Sequence, residues 1–225
     1  MKTFLSSLLL VSRLSAAAGA TNFAVKSGGV SPLTTGGQAA TNLSLQLSVP
    51  NSKHLLVGLS AEINILTETT AKGTNKGGTD TSIAYAGING SIRYLKTSDM
   101  GSYTAQQICD GKLGMVATPQ EVTFSSRRQE LTVDVNLEIQ SATNQCSDCE
   151  ITGYVSVGLE LETTAAHHFN FIIDIPATAS NSDKYNVIAC WNADASATSD
   201  AGSASSYLYL KNTMLVVQEV LAFNS

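Results

Sequence analysis

The fold is decided by Arg128-Gln-Glu-Leu-Thr-Val-Asp-Val-Asn-Leu-Glu-Ile139 and its continuation from Ile151 to Ile175. In the first run Leu131, Val133, Val135, Leu137 and Ile139 alternate with Thr132, Asp134, Asn136 and Glu138. Period two is the mark of a strand with one buried and one wetted face. Ile151, Gly153, Val155, Val157, Leu159 and Leu161 repeat the pattern against Tyr154, Ser156, Gly158, Glu160 and Glu162. The polar decapeptide Ser141 to Glu150 separates the runs, so they are expected to be antiparallel neighbours joined by a loop that Cys146 and Cys149 staple. A third run carries Phe169, Phe171, Ile173 and Ile175 on its core face, and Pro176 ends it.

Working outward, the same alternation marks Leu43 to Val49, Leu55 to Ile65, Ser82 to Leu95 and Tyr185 to Trp191. Tyr207 to Leu210 and Met214 to Phe223 supply two closing strands, and Val122 with Phe124 opens a short one. Thr67 to Thr81 is Thr-, Gly- and Lys-rich with little apolar anchoring and is expected to be a loop. Ser125 to Gln129 is expected to be a turn, and Ala105 to Cys109 one helical turn. Nine or ten strands with almost no helical periodicity predict an all-β, antiparallel β-sandwich with jelly-roll-like or Greek-key connections. A closed barrel is the structural alternative.

The first 20 residues have a charged start at Lys2, an apolar stretch from Phe4 to Val11 and small residues from Ala16 to Ala20, the layout of a secretory signal peptide. The expected organisation is therefore a leader over 1–20 and one β-sandwich domain over 21–225, with a loose N-terminal segment. No other apolar stretch approaches the roughly 20 residues that span a bilayer, which predicts a secreted, extracellular protein without a membrane span. Loss of Lys2 and Arg13 takes the formal charge from −5 to −7. That balance is the opposite of a nucleic-acid footprint, and no nucleic-acid partner is expected.

Four cysteines in a secreted chain imply two disulfides, and the expected pairs are Cys146 with Cys149 and Cys109 with Cys190. The acidic neighbours Asp148 and Glu150 oppose thiolate formation, so the Cys146-Ser-Asp-Cys149 spacing reads as a clip rather than a redox centre. Asn42-Leu-Ser44 and Asn89-Gly-Ser91 are N-glycosylation sequons, making the chain a candidate glycoprotein. Asn192 and Asp194 to Asp200 form an acidic stretch without the ligand order of a calcium loop. No cofactor and no metal are expected.

Hydrolase elbows, zinc-protease helices, phosphate loops and dinucleotide fingerprints are absent from the sequence. The expected function is a non-catalytic binding or structural role toward an unknown extracellular ligand, a surface, glycan or protein. The alternative is an extracellular hydrolase acting on polysaccharide, with Glu160, Glu162 and His168 as its candidate catalytic residues. Two carboxylates two residues apart on a strand lie about 6.5 to 7 Å apart, in the range glycoside hydrolysis uses. His167 and His168 are adjacent on a strand, so they face opposite ways and cannot chelate one ion.

His167-His-Phe-Asn-Phe171, the Ser126-Arg-Arg-Gln-Glu-Leu131 stretch and the closing Met214 to Leu221 segment are similar to an uncharacterised group of secreted all-β proteins of bacteria and fungi. The similarity covers the C-terminal half. It implies an extracellular β domain and transfers no catalytic or binding residue.

Overall fold

The computed structural model describes residues 23–29, 31–33, 43–49, 54–73, 78–135, 155–175 and 183–220. In chain order the elements are β1 (Phe23–Gly28), β2 (Ser31–Leu33), β3 (Ser44–Ser48), β4 (His54–Gly73), β5 (Gly78–Lys96), α1 (Thr97–Met100), α2 (Ala105–Asp110), β6 (Met115–Val116), β7 (Val122–Val135), β8 (Val155–Asp174), β9 (Lys184–Ser199) and β10 (Ser203–Val220). They form two antiparallel sheets. Sheet A has the order β1-β10-β4-β8, with β2 beside β1 on the same edge of β10; sheet B has the order β3-β9-β5-β6, with β7 on the same edge of β5.

Counting β1 with β2 and β6 with β7 as single positions, the chain becomes a nested ribbon. The first position pairs with the last, β3 with β9, β4 with β8, and β5 with β6 and β7. Rolled into two sheets, such nesting is the jelly roll. The sequence expectation of an all-β sandwich holds, and the jelly-roll alternative is the topology adopted.

The inner faces follow the alternation. Leu55, Val57, Leu59, Ala61, Ile63 and Ile65 from β4 meet Ala86, Ile88 and Ile92 from β5 and Val187, Ala189 and Trp191 from β9. At the centre Phe124 packs edge-on against Phe169 at 4.7 Å and Trp191 at 4.8 Å. Gly90 admits that cluster: a Cβ there would lie 2.6 Å from Phe124 and 3.2 Å from Trp191.

Four local expectations are corrected. β7 and β8 are not ladder neighbours, since β7 pairs with β5 and β8 with β4, in opposite sheets. Alternation reports which face is wet but not which strand lies alongside. Thr67 to Gly73 and Gly78 to Thr81 are strand rather than loop, and Thr67, Thr69 and Ala71 are buried. The interior at this end is polar: Thr67 donates to Gln129 Oε1 (2.6 Å), and Gln129 Nε2 donates to Thr69 Oγ1 (2.7 Å) and to the Leu159 carbonyl (2.8 Å). Gln129 accordingly belongs to a continuous β7, not to a turn over Ser125–Gln129. The two closing strands are one, β10, interrupted by a register shift between Lys211 and Met214 where Asn212 takes φ 47°. Asn tolerates that left-handed geometry better than most side chains.

β9 is buried on both faces from Tyr185 to Trp191 because α1 and α2 cover the outside of sheet B. Leu95, Ile108, Cys109, Ile188 and Cys190 form a second small core there, and a Cys109–Cys190 disulfide joins α2 to β9 across 81 residues. The helical turn expected at Ala105–Cys109 is α2, with a complete Thr104/Gln107 capping box. The second expected pair, Cys146–Cys149, and the sequon Asn42 lie outside the described residues.

Candidate functional site

The even-numbered side chains of β4 and β8 leave the core and form the outer face of sheet A with the outward residues of β10. Ladder register places them in rows: Tyr209 beside Asn64 and Thr164, Tyr207 beside Leu66 and Glu162, and Ser205 beside Glu68 and Glu160. Lys211, Glu62 and Ala166 make the adjoining row. Tyr207 is 47% exposed, and Glu160 and Glu162 are exposed on the edge strand β8.

Asn64 is the fixed point of the face. Only 3% exposed, it donates through Nδ2 to Glu162 Oε1 (2.6 Å) and Thr164 Oγ1 (2.8 Å). Ser205 donates to Glu68 (2.6 Å), and Asn212 donates to Glu62 (2.6 Å). Glu68 and Glu160 stand directly opposite each other in the ladder, an arrangement of like charges that costs stability. Side-chain amides and hydroxyls therefore orient Glu62, Glu68 and Glu162, and among the described residues of these β10, β4 and β8 rows the one lysine or arginine is Lys211.

His168 is set further along. Ser60 donates to its Nδ1 (2.7 Å), and its Nε2 lies 3.0 Å from Asn170 Oδ1. The acceptor oxygen places the proton on Nε2, leaving Nδ1 to receive the Ser60 hydroxyl. Gly58 makes room for the ring, since a Cβ there would sit 2.8 Å from His168 Cε1. Ser60, His168 and Asn170 thus align as hydroxyl, imidazole and amide. Ser60 itself is paired in ladders on both sides, with Met214 of β10 and His168 of β8, while its neighbour Ala61 lies at the register shift of β10.

The three candidate catalytic residues do not converge. Glu160 and Glu162 share the outer face about 6.6 Å apart along the strand, but His168 is six residues beyond Glu162, about 20 Å away. They cannot act on one bond. His167 faces the other way, as expected, and among the described residues no group of three or more His, Cys, Asp or Glu side chains has the geometry to hold a metal.

The acidic stretch Asp194 to Asp200 is strand up to Ser199. At this end the buried carboxylate is Asp80, which accepts the backbone N–H of Lys72 (2.5 Å) and of Ala201 (2.9 Å). Those N–H donors, Lys72 first, hold its carboxyl below the usual aspartate value. Asp80 is thereby occupied in joining the β4–β5 and β9–β10 ends. Asn89 lies on the outer face of β5, half-buried.

Sequence reasoning found the phase of Glu160 and Glu162 but missed Asn64, Glu68, Tyr207 and Tyr209 as their neighbours. The available signal was the alternation that continues through Thr67, Glu68, Thr69 and Thr70. No protein-family model and no curated protein matches the chain. Among solved structures it is similar to one from Desmodium yellow mottle tymovirus at 12% identity, over 100% of this chain and 97% of that one, with a TM-score of 0.14. A score that low carries no argument about fold or function. No helix among the described residues is long and apolar enough to cross a membrane.

Proposed function

We propose that this chain is a secreted, extracellular, non-catalytic jelly-roll module that binds a glycan or protein ligand through the outer face of sheet A. One observation carries the reading: Glu162, oriented by the buried Asn64, stands in the same row as the exposed Tyr207. A tyrosine ring offers an apolar surface with a polar tip, and the carboxylate and amide groups beside it offer directed hydrogen bonds. This is the chemistry of recognition of a hydroxyl-rich or cationic surface. The Cys109–Cys190 disulfide accords with an oxidising compartment.

The test is a glycan array together with a pull-down on extracellular proteins, comparing the parent protein with Tyr207→Ala and Glu162→Gln. The expected outcome is a ligand whose affinity falls about tenfold or more in each variant, the scale of one lost anchor or charge-assisted bond. Undiminished binding by both variants would remove this face from consideration. Turnover of a polysaccharide by the parent and its loss in Glu160→Gln would replace the binding reading with the hydrolase.

A further inference from the structure

β7 and β8 are the last strands of their sheets on the same side of the sandwich. Among the described residues β8 pairs with β4 alone, apart from one bridge between Ile172 and Thr118, and β7 pairs with β5 alone. Long unpaired edges are templates for strand addition. The inner side of β8 is also left uncovered at this end: Val157, Leu159 and Leu161 point to the core side yet are 41%, 40% and 41% exposed. Their ladder partners Ala71, Thr69 and Thr67 on β4 are buried. The gap lies at the margin of the sandwich, beside β7.

We infer that this margin is a self-association site, in which β8 of one copy adds to β7 of a second copy and the reverse pairing forms at the same time. A two-fold axis running parallel to the strands between the two sandwiches generates both pairings. It lays sheet A of one molecule edge to edge with sheet B of the other, so two continuous sheets span the dimer. Such an isologous contact closes after two copies. The polarity is correct. Phe124 meets Phe169 and Gln129 meets Leu159, so β7 and β8 run antiparallel within one molecule. A rotation about an axis parallel to the strands preserves both that sense and their relative level.

One opposite-charge contact between the edges forms at that level. Gln129 reaches the Leu159 carbonyl, which places the neighbouring Arg128 opposite the Glu160–Glu162 stretch of the other copy. All three side chains are on outer faces. Arg128 is 58% exposed in its own copy and, among the described residues, is ion-paired with its strand neighbour Glu130. On the inner side, counting from the Gln129–Leu159 contact, the half-buried Leu131 of β7 comes level with the uncovered Val157 of the other copy. Arg127, on the same inner face at the other side of Gln129, comes level with the uncovered Leu161 and has a buried Nη1 without a hydrogen-bond partner among the described residues. Opposite-charge and aliphatic cross-strand pairs of this kind are what fix a strand register.

Sedimentation velocity at rising protein concentration, in low and in high salt, reads the association directly. The expected result is a monomer–dimer equilibrium that weakens with salt. Arg128→Glu alone should raise the dimer Kd about tenfold, and combining it with Glu160→Lys and Glu162→Lys should restore it. A second arm uses the pair Arg128→Cys and Glu160→Cys, or Glu162→Cys. Within one molecule these positions lie on outward faces of opposed sheets, about 10 Å apart as layers, and cannot bond. Oxidation should give a covalent dimer for at least one of the pairs, and Asp134→Cys with Glu160→Cys should not. A protein that stays monomeric to about 100 μM, the weak end of useful association, overturns the inference and makes the edge charges guards against strand addition. A dimer that neither cysteine pair traps overturns it as well.

Discussion

At the scale of single residues, Gly90 and Gln129 show two ways in which the interior depends on a side chain that sequence patterning undervalues. Gly90 sits where the alternation of β5 calls for an apolar residue, and its missing Cβ is the space in which Phe124 and Trp191 meet edge to face. Gly90→Ala should therefore destabilise rather than rigidify. Overpacking of a filled core costs about 1 to 3 kcal/mol, and part of two aromatic contacts worth about 0.5 to 1.5 kcal/mol each is lost with it. Urea unfolding followed by Trp191 fluorescence would show a lower midpoint with an unchanged slope. An unshifted midpoint would mean that the aromatic cluster has freedom the geometry denies it. Gln129 was legible only as a polar residue before a strand. Three hydrogen bonds to Thr67, Thr69 and Leu159 let it lie buried, and they depend on a β4 that sequence composition assigns to a loop.

Elements show where sequence reading succeeds and where it stops. Strand existence was plain wherever aliphatic residues alternate, as in β3, β5 and the two ends of β8. It failed at Thr67 to Gly73, because threonine fits a pleated strand as well as valine does but carries no hydrophobic signal. Partner choice was not legible at all: Leu131–Val135 and Val155–Leu161 read as a hairpin and belong to opposite sheets. β9 was read as alternating from Tyr185 to Trp191, yet it is buried without a break over that run, which requires cover on both faces. Helix α2 provides part of that cover, and the Cys109–Cys190 bond holds it there. Removing the bond by Cys109→Ser with Cys190→Ser should cost about 2 to 4 kcal/mol, the usual effect of freeing a loop of this length in the unfolded chain. Hydrogen exchange should then rise first in Ala105–Asp110 and leave the β4–β8 ladder protected until global unfolding. Simultaneous loss of protection in both would mean that α2 is part of the main cooperative unit.

For the whole molecule, nesting decides which end of the chain matters. β10 lies between β1 and β2 on one edge and β4 on the other, and its inner residues Leu208, Leu210, Leu215 and Val217 belong to the main core. β1 lies at the margin and presents Phe23 and Val25 outward, so it contributes a ladder and little core. The first and last described strands are therefore unequal although they pair with each other. Deleting residues through Gly28 removes one edge ladder and should lower Tm while leaving a folded sandwich. Ending the chain after Leu210 strips β4 of its partners from His54 to Ser60 and at Glu62, removes Leu215 and Val217 from the core and takes from β1 its whole described ladder. Apolar burial is worth about 1.5 to 3 kcal/mol for each large side chain, so Leu215 and Val217 together account for about 3 to 6 kcal/mol, comparable to the lower end of the 5 to 15 kcal/mol that a folded domain has in total, before the lost ladder is counted. Far-ultraviolet circular dichroism and thermal melts of the two truncated proteins would separate the cases. The C-terminal deletion should show no cooperative transition and the N-terminal one a single transition at reduced temperature. A cooperative melt from the chain ending at Leu210 would mean that β4 and β8 hold sheet A without β10, and that the nested order is not what the core depends on.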